Sequence, residues 1–137
     1  MKTNKNSKTK ITKIEVKNFE ENGVICLRKI IDKNWLEEIK LAIERDYENP
    51  GPFFHNYDGG GGRFHASSRR WTTHKEFRRY VFHSPLPKIA SVLLKSNKIN
   101  LLYDQIFTKE PKTPTPTAWH NDHSVWPISG RQVISFW

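Results

Sequence analysis

Two metal-binding side chains stand one residue apart near the end of this sequence. His120 and Asp122 lie in the stretch TPTAWHNDHSVWPISG, Thr115 to Gly130. Side chains two positions apart on a strand share a face, so both can reach one cation. With a third ligand from elsewhere, they form the two-histidine-one-carboxylate triad that suits Fe(II). We therefore predict that residues 120–122 lie on or at the end of a strand, with their metal-facing atoms about 3–4 Å apart.

The His-X-Asp tripeptide is weak evidence by itself, because a turn histidine bonded to a nearby carboxylate gives the same letters. His123 follows directly, and on a strand it faces away from His120. A role beside the metal or the substrate suits it better than a ligand role. Four further histidines read as surface or packing residues: His55, His65, His74 and His83. Arg131 could imitate a carboxylate clamp, although a solvated turn arginine is the simpler interpretation.

Charge and cysteine content set limits on the class of protein. The net charge is +9, with a lysine-rich start and an arginine-rich stretch over residues 63–79. No apolar run approaches the ~20 residues of a membrane span, and the start lacks the apolar core of a secretory signal. The one cysteine, Cys26, excludes a disulfide within the chain and is expected to be a small buried side chain. A cytoplasmic protein with a flexible basic N-terminus over residues 1–17 is predicted.

The elements that must position the two side chains read as an α+β arrangement. Asp32 is a plausible helix N-cap, with apolar residues at helical spacing after it and Pro50 to stop the helix. Two further helices are predicted over THKEFRRYVFHS and SPLPKIASVLLKS, the second with Ser84 as N-cap. Strands are predicted at residues 24–27, in the segment that ends near Lys109, and at 131–137.

Residues 49–70 read as a loop, because glycines and prolines dominate its first part. Four successive glycines, Gly59 to Gly62, indicate a mobile surface turn that could lie over a site. A phosphate-binding loop is the alternative, but no Gly-Lys-Ser/Thr follows it and no strand precedes it. Prolines at 111, 114 and 116 exclude regular structure in the segment PKTPTPT.

Residues 103–137, YDQIFTKEPKTPTPTAWHNDHSVWPISGRQVISFW, closely resemble the metal-binding part of the phytanoyl-CoA dioxygenase family. The matching elements are the strand with Gln105, the Lys109-Glu110-Pro111 turn, the Trp119–Asp122 segment and the WPISG turn. YVFHSPLPKIASVL and the opening FEENGVICLRKII fit the same family, so the resemblance runs from about residue 19 to the end.

The resemblance implies a non-haem Fe(II) enzyme with 2-oxoglutarate as co-substrate, ascorbate as an optional reductant, and a double-stranded β-helix (jelly-roll) core. His120 and Asp122 correspond to the first two iron ligands. Gln105 and Trp137 correspond to residues beside 2-oxoglutarate. Lys109 is either another neighbour of the co-substrate or a salt-bridging residue after the strand. We expect Gln105 and Trp137 to line one cavity with His120.

In the family, a second ligand histidine and an arginine that binds 2-oxoglutarate lie further along than residue 137. We therefore expect residues 18–137 to be the N-terminal part of a dioxygenase domain, truncated within the jelly roll, that acts on a small organic or lipid-like substrate. Partners other than that substrate, such as nucleic acid or a membrane, are not expected. Two alternatives stay open: a catalytically inactive relative, and a basic nucleic-acid-binding module, which the interleaved Trp and Arg of RFHASSRRW would suit.

Overall fold

The computed structural model describes residues 10–124 and 126–137, which contain four α-helices and a three-stranded antiparallel sheet. The predicted α+β class is confirmed at this level. The helices are α1 (Lys13–Asn22), α2 (Lys33–Glu48), α3 (Lys75–His83) and α4 (Leu86–Leu93), and the strands are β1 (Phe54–Asn56), β2 (Phe64–Ser68) and β3 (Gln105–Lys109).

Local capping sets the start of the first two helices. Thr12 and Glu15 form a reciprocal capping box at α1, which ends at Gly23 in the left-handed conformation. The Asp32 carboxylate accepts a hydrogen bond from the Trp35 amide, as expected for the N-cap of α2. Residues 13–17 are helical, while residues 1–9 lie outside the described residues, so the flexible basic N-terminus over residues 1–17 stays a prediction.

The core lies between α2, α3 and one face of the sheet. Ala42 on α2, Phe77 on α3 and Ile106 on β3 are buried together, with Ile39, Ile43 and Trp71 packed against them. Since Phe54, Ser67 and Ile106 lie opposite one another in adjacent strands, they share the face that turns toward these helices. On α4, Ile89, Ala90 and Leu93 form the buried side; this helix begins at Leu86, with Pro85 rather than Ser84 as N-cap.

The sheet contains two strands that the sequence pattern does not predict. β1 and β2 form a hairpin inside residues 49–70, where a loop was predicted, and β2 also pairs with β3. Polar and small residues such as His65, Ala66 and Ser67 fill β2, although all of them are buried. The loop prediction is wrong because β2 is buried by elements that are distant in the sequence. Burial of this kind leaves no local pattern of apolar residues in β2 itself.

Two predicted strands are absent. Residues 24–27 and 131–137 have no regular structure, although both are rich in residues that favour strands. A strand is stable only with a neighbour to pair with, and neither segment has one among the described residues. Cys26 is exposed, which corrects its expected burial.

In the part of the chain that the structure describes, we find no helix with both the length and the apolar character that crossing a membrane requires.

Candidate metal centre

The side chains of His120 and Asp122 converge. His120 Nε2 lies 3.3 Å from Asp122 Oδ1, and both side chains are partly exposed to solvent. Two ligands at about 2 Å from one ion, with about 90° between them, stand roughly 3 Å apart. The predicted convergence is confirmed, and the pair fits two neighbouring positions around a single cation.

A turn, not a strand, brings these side chains together. Residues 117–121 are irregular, and Asp122–Ser124 form one turn of 3-10 helix. The Asn121 side-chain oxygen accepts a hydrogen bond from the His123 amide at 2.9 Å. The backbone carbonyl of Asn121 accepts one from the Ser124 hydroxyl at 2.6 Å. This Asx turn folds the backbone after Asn121, so that Asp122 faces His120. The predicted strand at residues 120–122 is therefore wrong.

The backbone also sets which nitrogen of His120 carries a proton. His120 Nδ1 lies 2.8 Å from the carbonyl oxygen of Ala118. A carbonyl oxygen can only accept, so Nδ1 is the donor, and in the neutral imidazole the lone pair is then on Nε2. A metal-binding histidine is usually held in this way, with one ring nitrogen donating to the protein and the other facing the ion.

The surface around His120 is open on one side and anchored on the other. A shallow pocket of about 340 Å³ is lined by Thr117, Ala118, Trp119 and His120, and the Trp119 side chain is fully exposed. After the turn, the Trp126 indole nitrogen donates a hydrogen bond to the Tyr103 hydroxyl at 2.8 Å. The site segment is thus tied to the residues that precede β3.

A comparison with protein families places this site in context. The family model for phytanoyl-CoA dioxygenase (PhyH) matches residues 19–137. The chain belongs to the phytanoyl-CoA dioxygenase family. Neither a curated protein nor a solved structure matches it. Phytanoyl-CoA dioxygenases are part of the Fe(II)/2-oxoglutarate dioxygenase superfamily, so a dioxygenase-type function is the one that the family supports.

The other residues expected from phytanoyl-CoA dioxygenases do not gather beside His120. Gln105 is exposed at the start of β3, opposite Ser68. The Lys109 ammonium lies 4.8 Å from the centre of the Phe64 ring. Trp137 is 94 % exposed. Neither Gln105 nor Trp137 lines the pocket beside His120, and the roles of these residues toward 2-oxoglutarate stay predictions.

No third protein ligand joins the pair in the described residues, where no group of three or more His, Cys, Asp or Glu side chains could hold a metal ion. His123 is exposed, and its ring centre lies 6.4 Å from that of Trp126. His65 is fully buried against the rings of Tyr47 and Phe54, so it is a packing residue, as expected.

Sequence reasoning missed the residues that shape the site. Asn121 was read only as the residue between two ligands, although Asn before a short polar run is a common turn signal that could have identified it. Sequence reasoning also missed a group of buried polar residues on α2, on β2 and in the turn after β2. The group consists of Asp46, His65, Ser67 and Arg70. No local pattern marks that group, because its members come from distant parts of the chain.

Proposed function

We propose that this protein is a non-haem Fe(II)/2-oxoglutarate-dependent dioxygenase in which His120 and Asp122 are two of the iron ligands. The observation that carries the proposal is the convergence of His120 Nε2 and Asp122 Oδ1 at 3.3 Å. Membership of the phytanoyl-CoA dioxygenase family supports the same metal and co-substrate.

The chemistry of the two donors fits a cation. With Nδ1 donating to Ala118, a neutral His120 would present a lone pair on Nε2 toward a carboxylate oxygen. Two acceptors that face each other at this distance attract only when a proton or a cation lies between them. One imidazole and one carboxylate are also two of the three donors in the facial triad that binds Fe(II).

The protein residues have limited tasks in such a reaction. When bound, iron would activate O₂ as the oxidant, and 2-oxoglutarate would supply two electrons and leave as succinate and CO₂. His120 and Asp122 hold the metal through Nε2 and a carboxylate oxygen. Ala118 and Asn121 fix the orientation of these two side chains through the hydrogen bonds described above. The exposed indole of Trp119 offers an apolar surface next to His120, which suits a small organic or lipid-like substrate.

We also propose that the sheet of β1, β2 and β3 is part of a double-stranded β-helix. Its antiparallel pairing is of the kind that such a core requires, and the family match supports this assignment. A cytoplasmic location belongs to the same proposal, because an unpaired cysteine is stable in a reducing compartment.

The nucleic-acid-binding alternative loses support in the structure. Three arginines of the basic stretch are committed to carboxylates within the protein: Arg63 pairs with Glu44 and Glu110, Arg70 with Asp46, and Arg79 with Glu38. Arginines held in this way cannot release counterions from phosphates without losing these partners.

Metal titration tests the proposal directly. We expect the purified chain to bind one Fe(II), or one Co(II) as an air-stable substitute, when binding is measured by anaerobic calorimetry. His120→Ala and Asp122→Ala should each weaken binding at least about 10-fold, because each removes one of the protein donors.

His123→Ala is the matched control, since it removes an exposed imidazole next to the pair without touching it. Its affinity should equal that of the unchanged chain. A chain that binds no metal supports the inactive relative instead. An equal loss of metal affinity in His123→Ala would show that the loss is not specific to His120 and Asp122, and their assignment as ligands would be wrong.

A further inference from the structure

The glycine-rich turn between β1 and β2 lies directly against the segment that leads to the metal pair. A methyl group added to Gly61 would sit 2.3 Å from the carbonyl oxygen of Lys112. At Gly59 it would sit 2.8 Å from both Pro114 and Thr115. Contacts this short do not occur for real side chains, so the two backbones approach closely only because these positions are glycine.

Polar contacts join the same two segments. The Glu110 amide donates to the Arg63 carbonyl at 2.8 Å, and the Arg63 amide donates to a Glu110 carboxylate oxygen at 3.0 Å. Arg63 Nε donates to the other carboxylate oxygen at 2.7 Å. These bonds lower the pKa of Glu110 below its ordinary value. The Thr115 hydroxyl donates to the Tyr57 carbonyl at 3.3 Å, so the contact runs from Glu110 to Thr115.

The segment is stiff between this contact and the metal pair. Pro114 and Pro116 each fix one backbone angle and restrict the residue before them. Beyond the pair, Trp126 is bonded to Tyr103. The stretch with His120 and Asp122 is therefore held on both sides, by the hairpin before it and by Trp126 after it.

We infer that Gly61 is a positioning residue for His120 and Asp122. Because Gly61 has no side chain, the hairpin turn can contact the backbone at Lys112, and this contact determines where His120 and Asp122 lie. Gly61 touches neither side chain and would not touch a metal. The inference rests on the proposed function, since it concerns the same two ligands. It replaces the expected mobile turn with a fixed support.

The test compares two glycine-to-alanine changes. Gly61→Ala adds a methyl group against Lys112, whereas Gly23→Ala adds one at the end of α1, where nothing lies within 4 Å. Because the left-handed backbone at Gly23 strains alanine, this variant controls for a general loss of stability. We expect Co(II) affinity to fall about 10-fold or more in Gly61→Ala, as for other residues that orient metal ligands. The visible spectrum of bound Co(II) should change with it, which a general loss of stability would not cause. Gly23→Ala should keep the affinity and the spectrum of the unchanged chain.

The outcomes separate this inference from the proposed function. If His120→Ala loses Co(II) and Gly61→Ala keeps it, only the inference is overturned, and equal weakening in Gly61→Ala and Gly23→Ala overturns it too. If the unchanged chain binds no Co(II), the proposed function fails and the inference fails with it. Should circular dichroism show that Gly61→Ala is unfolded, Glu110→Ala serves instead, because it removes two side-chain bonds to Arg63 at a partly exposed position. Unchanged affinity in that variant overturns the inference, and rescue by Glu110→Gln supports it.

Discussion

His65 is the residue whose burial most clearly ties the fold to pH. Its ring is fully buried against Tyr47 and Phe54, and burial lowers its pKa below the ordinary value of 6.5. Asp46, Asp58 and Glu44 oppose this shift, while Arg63 adds to it. The folded protein therefore keeps His65 neutral at a pH where the unfolded chain already binds a proton.

We predict that stability falls as the pH drops below about 6.5, because the unfolded state then takes up a proton that the folded state refuses. The measurement is the unfolding temperature between pH 7.5 and 5. His65→Gln should show a flatter dependence over this range, whatever its stability at pH 7.5.

A slope in His65→Gln equal to that of the unchanged chain would assign the effect to other groups. Glu44 and Glu110 have lowered pKa values that act in the same direction at more acidic pH. Asp104 acts in the opposite direction, since burial raises its pKa.

At the scale of elements, one buried ion pair joins α2 to the turn that follows β2. Asp46 and Arg70 are both buried and paired with each other. Arg70 also contacts His74, and its guanidinium lies where any side chain on Gly51 would have to be. The pair therefore fixes the positions of α2, of Gly51 at the entrance to the hairpin, and of the 3-10 turn at Arg70–Thr72 relative to one another.

We predict that Asp46→Asn lowers the free energy of unfolding by about 3–5 kcal/mol, because it leaves the Arg70 charge buried without its partner. Arg79→Ala is the matched control, since its ion pair with Glu38 also joins two elements but is more exposed. Its cost should stay within about 1 kcal/mol. Urea unfolding followed by circular dichroism measures both, and similar costs would show that burial is not what matters here.

The elements that could be predicted are those with local causes. Asp32, Pro50 and the apolar spacing between them determine α2 within the chain itself, and the structure agrees. Residues 24–27 and 131–137 have strand-like composition without a partner strand, and β2 has partners without strand-like composition. Pairing is a property of distant segments, so composition alone misassigns all three.

The same reasoning explains the partial success at the site. Spacing predicted His120 and Asp122 as a converging pair, because side chains two positions apart share one face of a strand. The predicted strand was wrong, because an Asx turn at Asn121 brings the two side chains together instead. Gln105 and Trp137 depend on long-range packing, and the structure does not bring them beside His120.

At the scale of the whole chain, the described residues supply two protein donors to this site, which are too few for a working iron centre. With only these two ligands, we predict that the 137 residues bind Fe(II) weakly and show no turnover, because the described residues supply no third ligand to the pair and the open positions are left to water; turnover requires the third ligand of the proposed iron centre. The assay is succinate formation from 2-oxoglutarate with Fe(II) and ascorbate, beside a His120→Ala, Asp122→Ala double variant. Turnover well above that variant would show that the 137 residues contain a complete ligand set.

The order of the strands has a consequence for folding kinetics. β1 and β2 form a local hairpin that needs only a short turn, whereas β3 joins β2 across residues 69–104, which include α3 and α4. Closing that long connection carries a larger entropy cost and makes β3 the slower strand to add. The segment with His120 and Asp122 follows β3 and rests on the hairpin turn, so it can reach its place only after β3 has docked. The pair of His120 and Asp122 is thus assembled late, on a support that forms early.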